Sequence, residues 1–216
     1  MRSDRSLKLA AVSICAVSAL CALPALAHAK GDKDDEPAEG KSGPPNVAAS
    51  LEFMLGLNNN FEVQPDGGKT SKADGKTTFG IVPGFDKMLG RNFGVGGEYM
   101  FVWAGSDAKG AASDRSLIMS PHLRARMSFP IVQNFTFDGM IGLGPTIWVG
   151  NDTSSGVDKD TRFGWSLRFG FGGGYKFNDS VAAFLNVGYY TTTSYGDDMR
   201  LNLNTVPVSV GLRSSF

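Results

Sequence analysis

The chain has 216 residues with 21 basic and 21 acidic side chains, so it carries no net charge that would draw it to nucleic acid. Its 28 glycines and 15 phenylalanines argue against a helical protein, because glycine weakens helices and aromatic rings favour pleated surfaces.

Residues 1–29 open with Arg2, Arg5 and Lys8, run apolar from Leu9 to Leu23 and close on Ala27-His28-Ala29. That layout is a secretory signal peptide cut after Ala29. The apolar run is shorter than the ~20 residues a helical span needs. A lipoprotein cut before Cys21 would want a small residue where Leu20 stands. Cleavage removes Cys15 and Cys21, which excludes disulfides and thiolate chemistry from the mature chain and suits an oxidising compartment. It also removes three cations and Asp4, leaving a net charge of about −2. Residues 30–45, KGDKDDEPAEGKSGPP, hold no aromatic or β-branched residue and are expected to be a disordered leader. Asp32, Asp34, Asp35 and Glu36 have no spacing that would fix a cation.

From residue 46 to 216 a period of two recurs eight times, the signature of strands. The apolar rows are Leu51 to Leu57, Phe79 to Phe85, Phe93 to Trp103, Leu117 to Phe129, Phe135 to Val149, Phe163 to Phe177, Val181 to Tyr189 and Val206 to Phe216. Long polar connections are expected near 58–76, 104–114, 150–161 and 192–200, and short ones near 86–92, 130–134 and 178–180. Alternating short turns and long loops describe an all-β, eight-stranded antiparallel up-and-down transmembrane β-barrel, with the long side extracellular. Most aromatic residues share the apolar parity; Trp148, Phe184 and Tyr190 take the other, and Phe61 and Tyr195 fall in predicted loops. The outward aromatics sort by depth. Phe85, Phe93, Phe129, Phe135, Phe177 and Phe216 lie beside short turns or the C-terminus, while Tyr99, Trp103, Trp165 and Tyr189 lie toward the long loops. Two such rings are the interfacial girdles of a membrane barrel.

The opposite parity is then the lumen, rich in glycine at positions such as Gly84, Gly96, Gly142, Gly172 and Gly188. An eight-stranded barrel is only wide enough for side chains to fill it. Parity sends Glu52, Glu98, His122, Arg124, Arg126, Asp138 and Arg168 inside, with Arg162 at the outer mouth and Lys176 and Arg213 at the periplasmic mouth. Three central arginines face three acids, so one ion-pair network filling the lumen is expected. Pro83, Pro121 and Pro145 fall inside strands, where bulges or broken pairing are expected. Leu201 and Leu203 are out of phase with Val206, which predicts a register change in the last strand near Thr205.

The C-terminal VPVSVGLRSSF alternates Val206, Val208, Val210 and Leu212, with Gly211 near the end and Phe216 last. It resembles the terminal strand by which Gram-negative outer-membrane barrels are recognised for assembly, although Ser214 stands where a bulky apolar residue is usual. With the strand pattern and the signal peptide, the mature chain resembles the small eight-stranded outer-membrane β-barrel family, the OmpA/OmpX type. The resemblance implies a cell outer-membrane location, contact with outer-membrane lipid and with the barrel assembly machinery, and a monomer. That family holds structural anchors, adhesion and resistance factors, narrow pores and a few lipid-modifying enzymes.

His122 is the one histidine left after cleavage, two residues from Ser120 in SPHLR. A serine beside a histidine could serve a lipid-modifying enzyme, but parity turns the pair into the lumen, away from lipid. Asp152, Asp158 and Asp160 lack an EF-hand pattern, and the glycine runs precede no helix that could hold phosphate. No cofactor, metal or nucleic-acid partner is expected. The reading is a non-enzymatic outer-membrane barrel with interaction-bearing extracellular loops; a narrow pore, a lipid-modifying enzyme and a soluble lipocalin-like binder are the alternatives.

Overall fold

The computed structural model describes residues 47–65, 67–105, 115–150, 161–196 and 199–216. The expected signal peptide and leader lie outside these, as do most of the expected loops at 104–114 and 150–161. Nine strands form among the described residues: β1 Val47–Pro65, β2 Ser71–Asp74, β3 Thr78–Met88, β4 Phe93–Gly105, β5 Arg115–Val132, β6 Phe135–Val149, β7 Thr161–Lys176, β8 Val181–Tyr195 and β9 Met199–Ser215. Every ladder is antiparallel. The order β1-β3-β4-β5-β6-β7-β8-β9 closes through β1–β9 pairing, which gives eight staves. Val47 and Phe216 exchange backbone hydrogen bonds of 3.1 and 2.9 Å and lock the closure.

The period-two rows sort as a membrane barrel requires. Leu123 is 79% exposed and Trp165 60%, whereas the charged Arg168 and Glu52 are 1% exposed. Phe85, Phe93, Phe129, Phe135, Phe177 and Phe216 are exposed on the outer wall, and Tyr99, Trp103 and Tyr189 are half-buried there. A soluble protein rarely exposes apolar patches beyond a few hundred Å². Hydrocarbon is the solvent such a wall fits. A lipocalin-like barrel would have turned this greasy face inward; here charges are inside instead.

Two expectations change and a third is narrowed. Residues 58–76 are not a loop. β1 continues to Pro65, and the chain returns through β2, which pairs with β1 from Asn60 to Val63. Residues 192–195 likewise belong to β8. The register change lies on β1, not on the last strand. Between Leu57 and Asn60, β1 carries one residue more than β9, and Asn58 adopts a positive φ of 51°. Asn59 turns inward and donates to the carbonyls of Gly56 (3.2 Å) and Lys76 (2.7 Å). This β-bulge shifts the phase, so Phe61 points into the lumen. β9 keeps one phase throughout, with Leu203, Thr205, Ser209 and Arg213 all buried. The broken pairing expected at Pro83, Pro121 and Pro145 is present, and no extra residue accompanies it there. β5–β6 pairing stops after Met119–Ile147 and resumes at Leu123–Leu143 with no shift, which sets Pro121 opposite Pro145. Neither has an N–H, so one open seam absorbs both prolines. Pairing between β3 and β4 likewise skips Pro83.

Candidate functional site: the barrel lumen

The periplasmic half of the lumen is a charge network. Glu98 on β4 is its hub. Its Oε2 accepts from Arg124 Nη1 (3.1 Å) and Arg168 Nη1 (3.2 Å), and its Oε1 is bonded to His122 Nδ1 (3.1 Å). Arg168, from β7, also reaches across to Glu52 on β1. Arg124 grips Asp86 through both carboxylate oxygens, at 3.0 and 2.6 Å, and donates to Ser50 Oγ at 3.1 Å. Toward the periplasmic end Arg126 and Arg213 share Asp138, at 3.9 and 3.4 Å. Arg126 stands 4.9 Å from the Phe184 ring centroid, a cation–π contact.

The seven lumen residues read from the sequence, Glu52, Glu98, His122, Arg124, Arg126, Asp138 and Arg168, are all buried, and these contacts join them in two groups bridged by Arg126, 4.0 Å from Asp86. Asp86 was missed. It sits in a segment expected to be a turn, yet β3 runs on to Met88 and Asp86 is fully buried. Arg213 is not at a wet mouth but is 8% exposed and paired, whereas Lys176 is exposed. The balance among described residues is therefore four buried arginines against four buried acids. Charges taken out of water persist only when paired in this way.

Glycine makes the space. A Cβ on Gly84 would lie 2.5 Å from Arg124 Nη1, and one on Gly142 would lie 3.0 Å from Glu98 Oε1. Several others abut backbone: at Gly188 the obstacle is the Phe169 carbonyl on the neighbouring strand.

His122 does not pair with Ser120. Its Nε2 is 2.7 Å from Ser166 Oγ, while Ser120 bonds Thr146 (2.7 Å) and Tyr190 (3.1 Å). With Glu98 ionised, Nδ1–H donates to it and Nε2 can accept the Ser166 proton. That is the polarity of a serine nucleophile's relay. However, Ser166 is 2% exposed and His122 4%, and Gly142 abuts the Glu98–His122 contact. Both groups are thus enclosed by their lumen neighbours. Among the described residues no His, Cys, Asp or Glu cluster is arranged to hold a metal ion.

The extracellular half of the lumen holds an apolar cluster edged by buried hydroxyls such as Ser120, Thr146 and Thr192, which parity alone did not reveal. Met54, Phe61, Val82, Met100, Val102, Ala104, Ile118, Trp148, Tyr190 and Leu203 form one buried cluster. Phe61 meets Trp148 edge-on at 6.3 Å, and Trp148 Nε1 donates to Thr192 Oγ1 at 3.2 Å. Phe61 and Leu203 join this layer only because the β1 bulge re-aims one and β9 keeps the other in phase.

An antiparallel closed barrel of eight staves, apolar outside and charge-filled inside, is a transmembrane barrel of the outer-membrane kind. The chain belongs to the outer membrane protein beta-barrel domain family, which it matches over residues 13–213. It is therefore an outer-membrane protein. Among solved structures it is similar to neisserial surface protein A, with 14% identity over 81% of this chain and 100% of that one and a TM-score of 0.51. The outer-membrane protein AlkL, solved in DMPC bilayers, is similar with 13% identity over 86% and 97% and a TM-score of 0.51. The attachment invasion locus protein Ail of Yersinia pestis shows 17% identity over 79% and 99%, with a TM-score of 0.40. No curated protein matches the chain.

Proposed function

We propose that this chain is a non-enzymatic, non-conducting outer-membrane barrel, exported by a signal peptide cleaved after Ala29. Its extracellular loops carry surface interaction or a role in envelope integrity. The observation that supports the closed lumen is Arg168 on β7 bonded at once to Glu52 on β1 and Glu98 on β4, with the apolar cluster above. An ion would have to part a desolvated charge network and then cross hydrocarbon side chains, and both steps are costly. Gly211 and Phe216 serve as the recognition strand for barrel assembly, and the protein acts as a monomer in outer-membrane lipid. Planar-bilayer recording of the purified barrel tests the reading: no stable conductance step is expected, and a steady open pore of porin size refutes it.

A further inference from the structure

The outer wall has a polar breach at the level of the extracellular girdle. On β7 the outward row stays apolar through Leu167, Trp165 and Phe163, but their partners on β8 are Thr191, Thr193 and Tyr195. The polar character continues onto β9 at Asn202 and Asn204, and onto β1 at Asn60 and Glu62. The β1 bulge contributes Asn58, whose positive φ of 51° an asparagine tolerates better than most residues. The result is a groove of about 260 Å³ lined by Asn58, Asn60, Glu62, Lys72, Tyr189 and Asn204.

Its hydrogen-bonding capacity is only partly used. Asn204 Oδ1 accepts from Tyr189 OH at 2.9 Å and Thr191 Oγ1 at 2.7 Å, which leaves its amide N–H groups as donors. Those N–H groups belong to a residue that lines the groove, so a ligand oxygen can accept from them. Lys72 and Glu62 neutralise each other at 2.9 Å, so the groove offers no uncompensated cation to a phosphate. Directly toward the membrane lie the outward rows Leu55, Leu57, Val206 and Val208, paired across β1 and β9.

We infer that this groove binds the sugar headgroup of a membrane glycolipid, whose acyl chains run down the β1–β9 column. Neutral amides, hydroxyls and one tyrosine ring complement the hydroxyls and C–H face of a pyranose. The volume, near the ~300 Å³ lower end of ligand clefts, suits a single ring. The adjoining apolar column selects a lipid-borne sugar over a free one. This reading does not depend on whether the lumen conducts.

The test reconstitutes the barrel in phosphatidylcholine nanodiscs doped with glucosyl diacylglycerol and counts retained lipids by native mass spectrometry. Wild type is expected to retain one glucosyl lipid with about tenfold preference over phosphatidylcholine, the worth of one to two net hydrogen bonds. Asn204→Leu and, separately, Asn60→Leu should abolish that preference. Both side chains face outward, and the faster gel migration of the unheated barrel confirms that each variant is folded. Equal retention of the two lipids by wild type overturns the proposal, as does a preference untouched in both variants. Displacement of the lipid by methyl glucoside at the same concentration also overturns it, because the acyl column would then contribute nothing.

Discussion

Replacing Arg168 by Met removes the side chain that ties β7 to β1 and β4. Glu98 would keep Arg124 and His122, each at 3.1 Å. Glu52 would keep nothing comparable: it is 1% exposed, and Arg168 is its one ion-pair partner among the described residues. Removing one member of a buried pair costs about 3–5 kcal/mol, because the survivor stays desolvated and uncompensated. Arg168→Met should therefore shift the unfolding constant by roughly two to four orders of magnitude. Glu52→Gln should cost less, about 1–2 kcal/mol, since Arg168 retains Glu98 and the amide can still accept a hydrogen bond. The double variant removes the stranded charge, so it should be more stable than Arg168→Met alone, with a coupling of about 2 kcal/mol. Urea titration of the barrel in lipid vesicles, followed by tryptophan fluorescence, measures all four corners of the cycle. An Arg168→Met barrel within ~0.5 kcal/mol of the parent, or a double variant equal to the sum of the singles, would show that the network is not the buried, mutually dependent unit described.

Gly188→Val should prevent folding, because its Cβ would fall on the Phe169 carbonyl and 2.8 Å from Gly170 Cα, both backbone; Gly90→Val, with open space around it, should migrate on gels as the parent does. Ser166 should not react with a fluorophosphonate in the native barrel, and His122→Ala should leave lipid composition unchanged; stoichiometric labelling of Ser166 would contradict its burial. Glu62, on the part of β1 beyond the membrane span, has its carboxyl held below the ordinary glutamate range by the hydrogen bond and then the charge of Lys72. The contribution of that pair is thus present above the ordinary carboxylate range and is lost as pH falls through the lowered value. Lys72→Met should raise the midpoint of Glu62 toward 4.5, read by carboxyl NMR.

The outer wall was legible because lipid imposes one rule on outward positions within the hydrocarbon, so parity and polarity agree in rows such as Leu51 to Leu57 and Phe163 to Phe177. The lumen was legible only where a strand's extent was clear. Asp86 escaped because Asp, Lys and Met at the end of β3 look like a turn, and only their pairing with β1 and β4 shows that the strand continues. Phe61 and Leu203 escaped because a single extra residue at Asn58–Asn59 inverts the phase of the rest of β1, and no periodicity within that strand marks where the inversion falls. Leu201 and Leu203 did register as anomalies, but the signal was attached to the wrong strand: two neighbours out of step look alike from either side. The prolines were recognisable as breaks, whereas their mutual opposition depends on the β5–β6 register, a long-range property.

The wiring of the lumen constrains how such a chain can enter a bilayer. The charges come from β1, β3, β4, β5, β6, β7 and β9, and the bond from Arg168 to Glu52 spans 116 positions of sequence. No single hairpin is electrically self-sufficient. A half-built sheet slid into hydrocarbon would carry bare guanidinium and carboxylate groups with it, and their desolvation is cancelled only when the last stave meets the first. Insertion one hairpin at a time is therefore disfavoured by the chain's own side chains. Crossing the membrane and closing the ring become one event, and the arginines that fill the finished barrel also forbid the unfinished one.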